Sequence, residues 1–347
     1  MGEMENRNSR RVRAVLPRLS LPLLLLLGCG GAPEDRVSDE PLRREAALRT
    51  VPVSTANQLR TALDTAQPGD RIVLADGVYS GVFKATKDGT ASQPITLEGS
   101  ANAILQGTSV GGGYNLNLSG DYWVLRGFTA TNAQKGIVLD GASHCLLDGL
   151  TVKHIGMEAI HFRAFSSYNT LQNSFISDTG ASNPSYGEGV YLGSAQSNWG
   201  SISGGAPDTS NSNRVLHNTI GPHVRAEAVD IKEGTTGGEV SGNTFDGTGM
   251  SGENSADSWV DVKGNGYSIS NNRGTTALLD GFQTHVVLAG WGNDNTFSGN
   301  TADVRAGGYG FRIQLSGSAG TATGNVVKAN NTAPNAASGV ANIALTP

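Results

Sequence analysis

Glu158-Ala-Ile-His-Phe-Arg163, Glu188-Gly-Val-Tyr-Leu-Gly193 and Glu227-Ala-Val-Asp-Ile-Lys232 are three versions of one phrase. Ser258-Trp-Val-Asp-Val-Lys263, Gly281-Phe-Gln-Thr-His285 and Gly310-Phe-Arg-Ile-Gln314 continue it. Apolar and polar residues alternate inside each copy, the two-residue period of a strand with one buried face. The buried face stays apolar. The outward face changes from copy to copy and gathers Asp, Lys, Arg and His, so chemistry is expected on that stripe.

The central apolar residue of the phrase is placed at Val138, Ile160, Val190, Val229, Val260, Phe282 and Phe311. A second landmark accompanies it: Arg126-Gly127-Phe128, Asp148-Gly149-Leu150, Gln172-Asn173-Ser174, His217-Asn218-Thr219, Gly242-Asn243-Thr244 and Gly299-Asn300-Thr301. Gly and Asn both tolerate positive φ, as a sharp corner requires. Short strands cornered in this way and stacked about 4.8 Å apart describe an all-β, single-stranded parallel β-helix. The longest gaps hold Ser194 to Asn211 and Met250 to Asp257, and insertions in a solenoid emerge as loops on one face. Thr55-Ala-Asn-Gln58 matches a capping box, and Leu59, Ala62, Leu63 and Ala66 follow at helical spacing. This predicts a helix as the first folded element, covering the apolar end of the stack. A strand follows at Arg71-Ile-Val-Leu74.

Composition agrees. The 347 residues include 48 glycines, with 16% charged and 6% aromatic side chains, too apolar for disorder and too rich in Gly for a helical protein. A formal net charge of −5 supplies no basic field, which excludes nucleic acid as a partner. Arg7, Arg10, Arg11, Arg13 and Arg18 precede an apolar run, Leu19 to Leu27, too short to span a bilayer comfortably. That is the pattern of an export signal. It ends in Leu26-Leu27-Gly28-Cys29, which resembles the bacterial lipobox. The expected organisation is a signal over 1–29, a flexible tether over 30–50 and a β-helix domain over 51–347. The expected product is an exported monomer, lipid-anchored through Cys29 to the cell envelope or extracellular. Cys145 is the one other cysteine, and its phrase His144-Cys-Leu-Leu147 places it in the core.

Asp230 and Lys232 are two apart, so both leave one face of their strand, and Asp261 and Lys263 repeat them in the next turn. Like charges on adjacent rungs are expected to lower the ammonium pKa values, which helps a lysine act as a base. Glu158, Glu188 and Glu227 begin three successive phrases, and stacked carboxylates repel unless a cation such as Ca²⁺ sits among them. His161, His285, Arg163 and Arg312 project from the same stripe as candidate substrate contacts, and Tyr191 and Trp259 as sugar-stacking surfaces. A purely structural ladder of Asp–Lys ion pairs is the alternative reading of the same residues.

Arg225-Ala-Glu227-Ala-Val-Asp-Ile-Lys232, followed by Gly242-Asn243-Thr244-Phe245, resembles the signature of the chondroitinase B and alginate lyase family. The resemblance is concentrated in residues 185–265. It implies a right-handed parallel β-helix that cleaves a uronate-containing acidic polysaccharide by Ca²⁺-assisted β-elimination. Carried over, Glu227 becomes a metal ligand and Lys232 the base. Lys263 stands where the family has an arginine, and Arg225 where it has a second acid, so Arg225 is a candidate to neutralise the uronate carboxylate. Ser185 falls near the family's ligand asparagine. Two other functions fit the stripe: a glycoside hydrolase using Asp230 and Asp261, and a non-catalytic glycan-binding surface protein.

Overall fold

A computed structural model describes residues 48–347. The expected export signal, Cys29 and all but the end of the tether lie outside the described residues. Each turn of the chain gives one short strand to each of three parallel sheets, which hold eleven, ten and nine strands. The quoted phrases form the ten-stranded sheet, which runs from Phe83–Ala85 through Val229–Ile231 to Gly339–Ala341. The expected parallel β-helix is the observed fold.

Its core is a set of columns. Leu116, Ile137, Ile160, Val190, Val229, Val260, Phe282 and Phe311 lie in register and are fully buried. Burying each such side chain contributes about 1.5–3 kcal/mol. The first rung corrects the expected register, because Ile137 and not Val138 aligns with Ile160, and Val138 lies beside His161. Ile137-Val138-Leu139 is apolar throughout, so alternation offered no choice there.

The N-terminal cover is present, with two differences. A strand, Thr50–Val53, precedes the helix and pairs with Arg71–Leu74, too short for its period to be read in sequence. The helix, Ala56–Asp64, buries Leu59, Ala62 and Leu63. Thr55 accepts from Gln58 N at 3.2 Å as a capping residue should. Gln58 Oε1, however, accepts from Ser54 N at 2.9 Å, one residue earlier than the expected reciprocal bond.

The corner landmarks divide the labour between neighbours. Gly127, Gly149, Asn173, His217, Gly242, Asn271 and Gly299 take positive φ. The residues after the later ones, Asn218, Asn243, Asn272 and Asn300, form a buried ladder. Asn243 Oδ1 accepts from Asn218 N and Nδ2 at 2.9 and 3.0 Å, and its own Nδ2 donates to Val215 O and Asn272 Oδ1 at 2.8 and 2.9 Å. Backbone groups at these corners would otherwise lie buried without partners. Cys145 is buried as expected, and that burial pushes its thiol up to about 12.

Asn243→Ala is expected to lower the unfolding free energy by about 3 kcal/mol, since it orphans donors and acceptors on two neighbouring rungs. Urea melts read this directly. A loss under about 0.5 kcal/mol, the scale of a surface change, would show that the ladder carries little stability.

Candidate functional site

Strand register sets Val138, His161, Tyr191, Asp230, Asp261, Gln283 and Arg312 side by side along the outward face of the ten-stranded sheet. At the start of these strands, Gly136, Ala159 and Gly189 donate backbone bonds to Glu158 O, Glu188 O and Glu227 O at 3.2, 3.0 and 3.0 Å. The three glutamates are thereby stacked, as expected. All three are buried.

At the centre, Lys232 Nζ meets Asp230 Oδ2 at 2.6 Å, and Lys263 Nζ bridges Asp230 Oδ1 at 2.8 Å and Asp261 Oδ2 at 2.5 Å. The expected downward shift of the lysines does not occur. Burial alone would push both ammoniums down, but the facing aspartates outweigh it and hold both well above their ordinary value. Burial likewise opposes ionisation of Asp230, yet Lys232 and Lys263 keep it below the usual carboxylate range. The repulsion expected between like rungs is therefore absorbed by opposite charges on the same rungs.

Two glutamates are left over. Glu188, Glu227 and Asp230 bring carboxylate oxygens within 4.8 Å of one another. Burial, and then Glu158, Asp230 and Glu227 close by, push Glu188 well above the ordinary range. Burial and then Asp230 push Glu227 up to about 8. Glu188 Oε2 is buried with no hydrogen-bond partner. An all-oxygen donor set with an orphaned carboxylate oxygen fits a hard cation such as Ca²⁺. Glu158, the third glutamate expected as a ligand, stands next to this group and also has a buried, unpartnered oxygen, Oε2, but its carboxylate lies outside the 4.8 Å set. It pairs instead with Lys135 Nζ at 2.8 Å.

Tyr191 lies between these clusters. Its ring meets His161 edge-on, centroids 4.5 Å apart, and Lys232 Nζ stands 5.0 Å from its centroid. Burial and then Asp230 keep the phenol well above its usual value, so it stays protonated. His161 lines the cleft and at the same time buttresses Tyr191. Its Nε2 lies 2.8 Å from Gly193 O, and burial followed by Lys135 and Arg163 holds the ring neutral.

An open cleft of about 460 Å³ borders this group, lined by Lys135, His161, Arg163, Tyr186, Tyr191 and Asn198 among others. One wall is the insertion Ser194–Asn211, with its short helix Trp199–Ile202. Buried Asp208 holds that loop, accepting from Ala164 N, Phe165 N, Ser194 Oγ and Ser210 Oγ at 2.8–3.1 Å. The other side carries Tyr186, on a Pro184–Tyr186 turn that sequence reasoning missed. Ser185 donates from that turn to Glu253 Oε2 at 3.0 Å, in the second expected insertion. Lys135 was also missed. It opens the strand Lys135–Asp140, one rung before Glu158, a position that setting Ile137 in register would have exposed.

The other expected residues are held by partners of their own or lie farther off. Arg163 is tied to Asp140 at 2.5 and 3.2 Å, and His285 Nε2 bonds Gln283 Oε1 at 2.7 Å. Arg312 is exposed at the far end of the stripe. Arg225 is corrected outright: it leaves a different face, beside Asp178 and His223, and donates to Gly249 O at 3.2 Å. Trp259 is a second correction, being fully buried. The corner before its strand turns the indole inward, where it fills space opened by Gly274, whose Cβ would lie 2.3 Å from the ring.

The chain matches the family model described as Chondroitinase B over residues 53–140, earlier turns than those that carried the resemblance. It is 44% identical to an alginate lyase from Paenibacillus sp. str. FPU-7 of known crystal structure, over 83% of this chain and 98% of that one, with a TM-score of 0.75. Pectate lyase Pel9A shares the fold at 16% identity and a TM-score of 0.58, over 82% of this chain and 78% of that one. No curated protein matches the chain.

A glutamate raised from 4.5 to about 8 on folding contributes full stability below about pH 4.5 and loses it as pH climbs through 8. In the presence of chelator, the melting temperature should therefore fall from pH 5 to pH 8, and Glu227→Gln should flatten that fall. Parallel slopes for the two proteins would exclude Glu227 as the source.

Proposed function

This chain belongs to the chondroitinase B and alginate lyase family of parallel β-helix polysaccharide lyases, and we propose that it cleaves alginate, or a closely similar polyuronate, with Lys232 as base and Tyr191 as proton donor. The observation that carries the assignment is the placing of Lys232 beside Tyr191, which lines the cleft, with Lys263 held between Asp230 and Asp261 behind them.

In β-elimination the bond from C5 to its hydrogen breaks and the proton goes to the base. The electron pair forms the C4–C5 double bond, and the C4–O4 bond breaks as the leaving oxygen takes a proton. Lys232 is the least enclosed of the two central lysines and has one carboxylate partner where Lys263 has two. Once neutral, it can take the C5 proton. The Tyr191 phenol, kept protonated, gives its proton to O4. The new ammonium then faces the phenolate it adjoins, and returning the proton restores the site. Lys263, locked between two aspartates, supplies fixed positive charge beside the negative charge that develops on the uronate carboxylate.

Glu188, Glu227 and Asp230 would hold the calcium. When bound, the ion would add further charge stabilisation for the carboxylate. A hydrolase is less well supported, because Asp230 is held ionised by two ammoniums and Asp261 accepts from Lys263, whereas hydrolysis needs one carboxyl protonated.

Purified protein incubated with alginate should develop the ultraviolet absorbance of an unsaturated uronate. Lys232→Ala and Tyr191→Phe should each lower kcat by about a hundredfold or more. Because Asp230 holds Lys232 above its ordinary value, kcat/KM should climb about tenfold per pH unit between pH 7 and 9. A flat profile would remove Lys232 as base and leave it a carboxylate-binding cation. Calcium should raise the melting temperature of the wild type at pH 8 but not that of Glu188→Gln; equal shifts would place the ion elsewhere.

A further inference from the structure

Cations along the stripe differ in how far they are already neutralised. Lys135 is paired with Glu158, Arg163 with Asp140, Lys232 with Asp230, and Lys263 with two aspartates. Their side chains are 10–15% exposed. From the Lys135 rung onward, Arg312 is the exception. Its side chain is 56% exposed, and its approach to a carboxylate is 3.9 Å, to Asp280 Oδ2. That carboxylate is already engaged, Oδ1 by Tyr309 N and Oδ2 by Gln283 Nε2 at 2.9 Å. Lys84, exposed at the N-terminal end of the same column, lies on the other side of the catalytic rungs; from Lys135 onward a run of compensated charges ends in one guanidinium with its donors open to solvent.

Register fixes where that guanidinium stands. From Asp230 the column passes Asp261 and Gln283 to Arg312, so Arg312 lies three rungs beyond the Lys232 rung. Rungs are about 4.8 Å apart, and an extended 1,4-linked pyranose chain advances by close to one rung per sugar. A polyuronate lying along the stripe would therefore present successive sugars to successive rungs, each carrying a carboxylate. A guanidinium suits such a group because its planar fork can hold both oxygens.

We infer that Arg312 is a distal subsite, binding the carboxylate of the uronate three sugars from the one at Lys232, and that it makes the protein favour long chains over short ones. This rests on the lyase reading. An oligomer of three sugars placed for cleavage at Lys232 does not reach Arg312; one of six does.

The test compares kcat/KM on mannuronate trimer and hexamer for wild type, Arg312→Ala and Arg312→Lys. Arg312→Ala should reduce the hexamer-to-trimer ratio about tenfold, the loss lying in KM. Arg312→Lys, which keeps the charge without the fork, should recover part of it. An unchanged ratio would overturn the inference, as would a loss equal on both oligomers. Hexamer binding, measured calorimetrically in a Lys232→Ala background with and without Arg312→Ala, separates the two readings. If the wild type cleaves neither oligomer yet Arg312→Ala weakens hexamer binding, the subsite stands and the chemistry falls. Equal binding by the two variants would remove the subsite whatever the chemistry.

Discussion

Hydrogen bonding between rungs at a single spacing is the constraint on which everything else here depends. It forces each inward side chain into a column of equals and gives each outward side chain fixed neighbours above and below. A residue such as Asp230 has no freedom to avoid Asp261. The sequence meets that constraint by placing a lysine two positions later in both rungs, so each unfavourable contact along the column is answered by a favourable one across it. The result is a compact group of charges whose geometry is set by backbone register and not by side-chain flexibility. Such pre-set charge is what an elimination with a developing carbanion needs, because no reorganisation is required as the charge appears.

The same constraint explains which parts of the molecule could be read in advance. Wherever a phrase alternated cleanly, as in Val229-Asp-Ile or Val260-Asp-Val, strand, face and neighbour followed at once. Reading failed where alternation was silent. Ile137-Val138-Leu139 admits two registers, and choosing the wrong one hid Lys135 and with it the partner of Glu158. Trp259 failed for a different reason. It stands at a corner, where side-chain direction follows the turn and not the pleat, and the vacancy that receives it is made by Gly274, fifteen positions on.

The lysine pKa values failed for an energetic reason. Considering the ladder one column at a time sees Lys beside Lys, whereas the nearest charges to both are aspartates at 2.5–2.8 Å. Distances of that order decide the balance among neighbours in a poorly solvated site. Sequence spacing put each lysine on the face of its own aspartate but did not give the diagonal contact from Lys263 to Asp230, nor the burial that makes these short contacts decide the sign. The cleft around Glu158 was equally invisible, since the segments that wall it, Ser194–Asn211 and the Pro184–Tyr186 turn, have no repeat to align.

Trp259 also bears on how this sequence can change over time. Besides Gly274, the indole crowds Gly247 and Gly281, where an added Cβ would fall 2.8 Å from it. At those two positions backbone oxygens stand as near or nearer, Thr276 O at 2.0 Å and Gly310 O at 2.7 Å, so they must stay glycine whatever becomes of the ring. Gly274 is different, because every close neighbour of its missing Cβ belongs to the indole. A side chain gained at Gly274 meets the ring unless the ring has already gone, and losing the ring first leaves a void in the core. Neither order of events is neutral, so Gly274 and Trp259 form a linked pair, and homologues should differ at both or at neither.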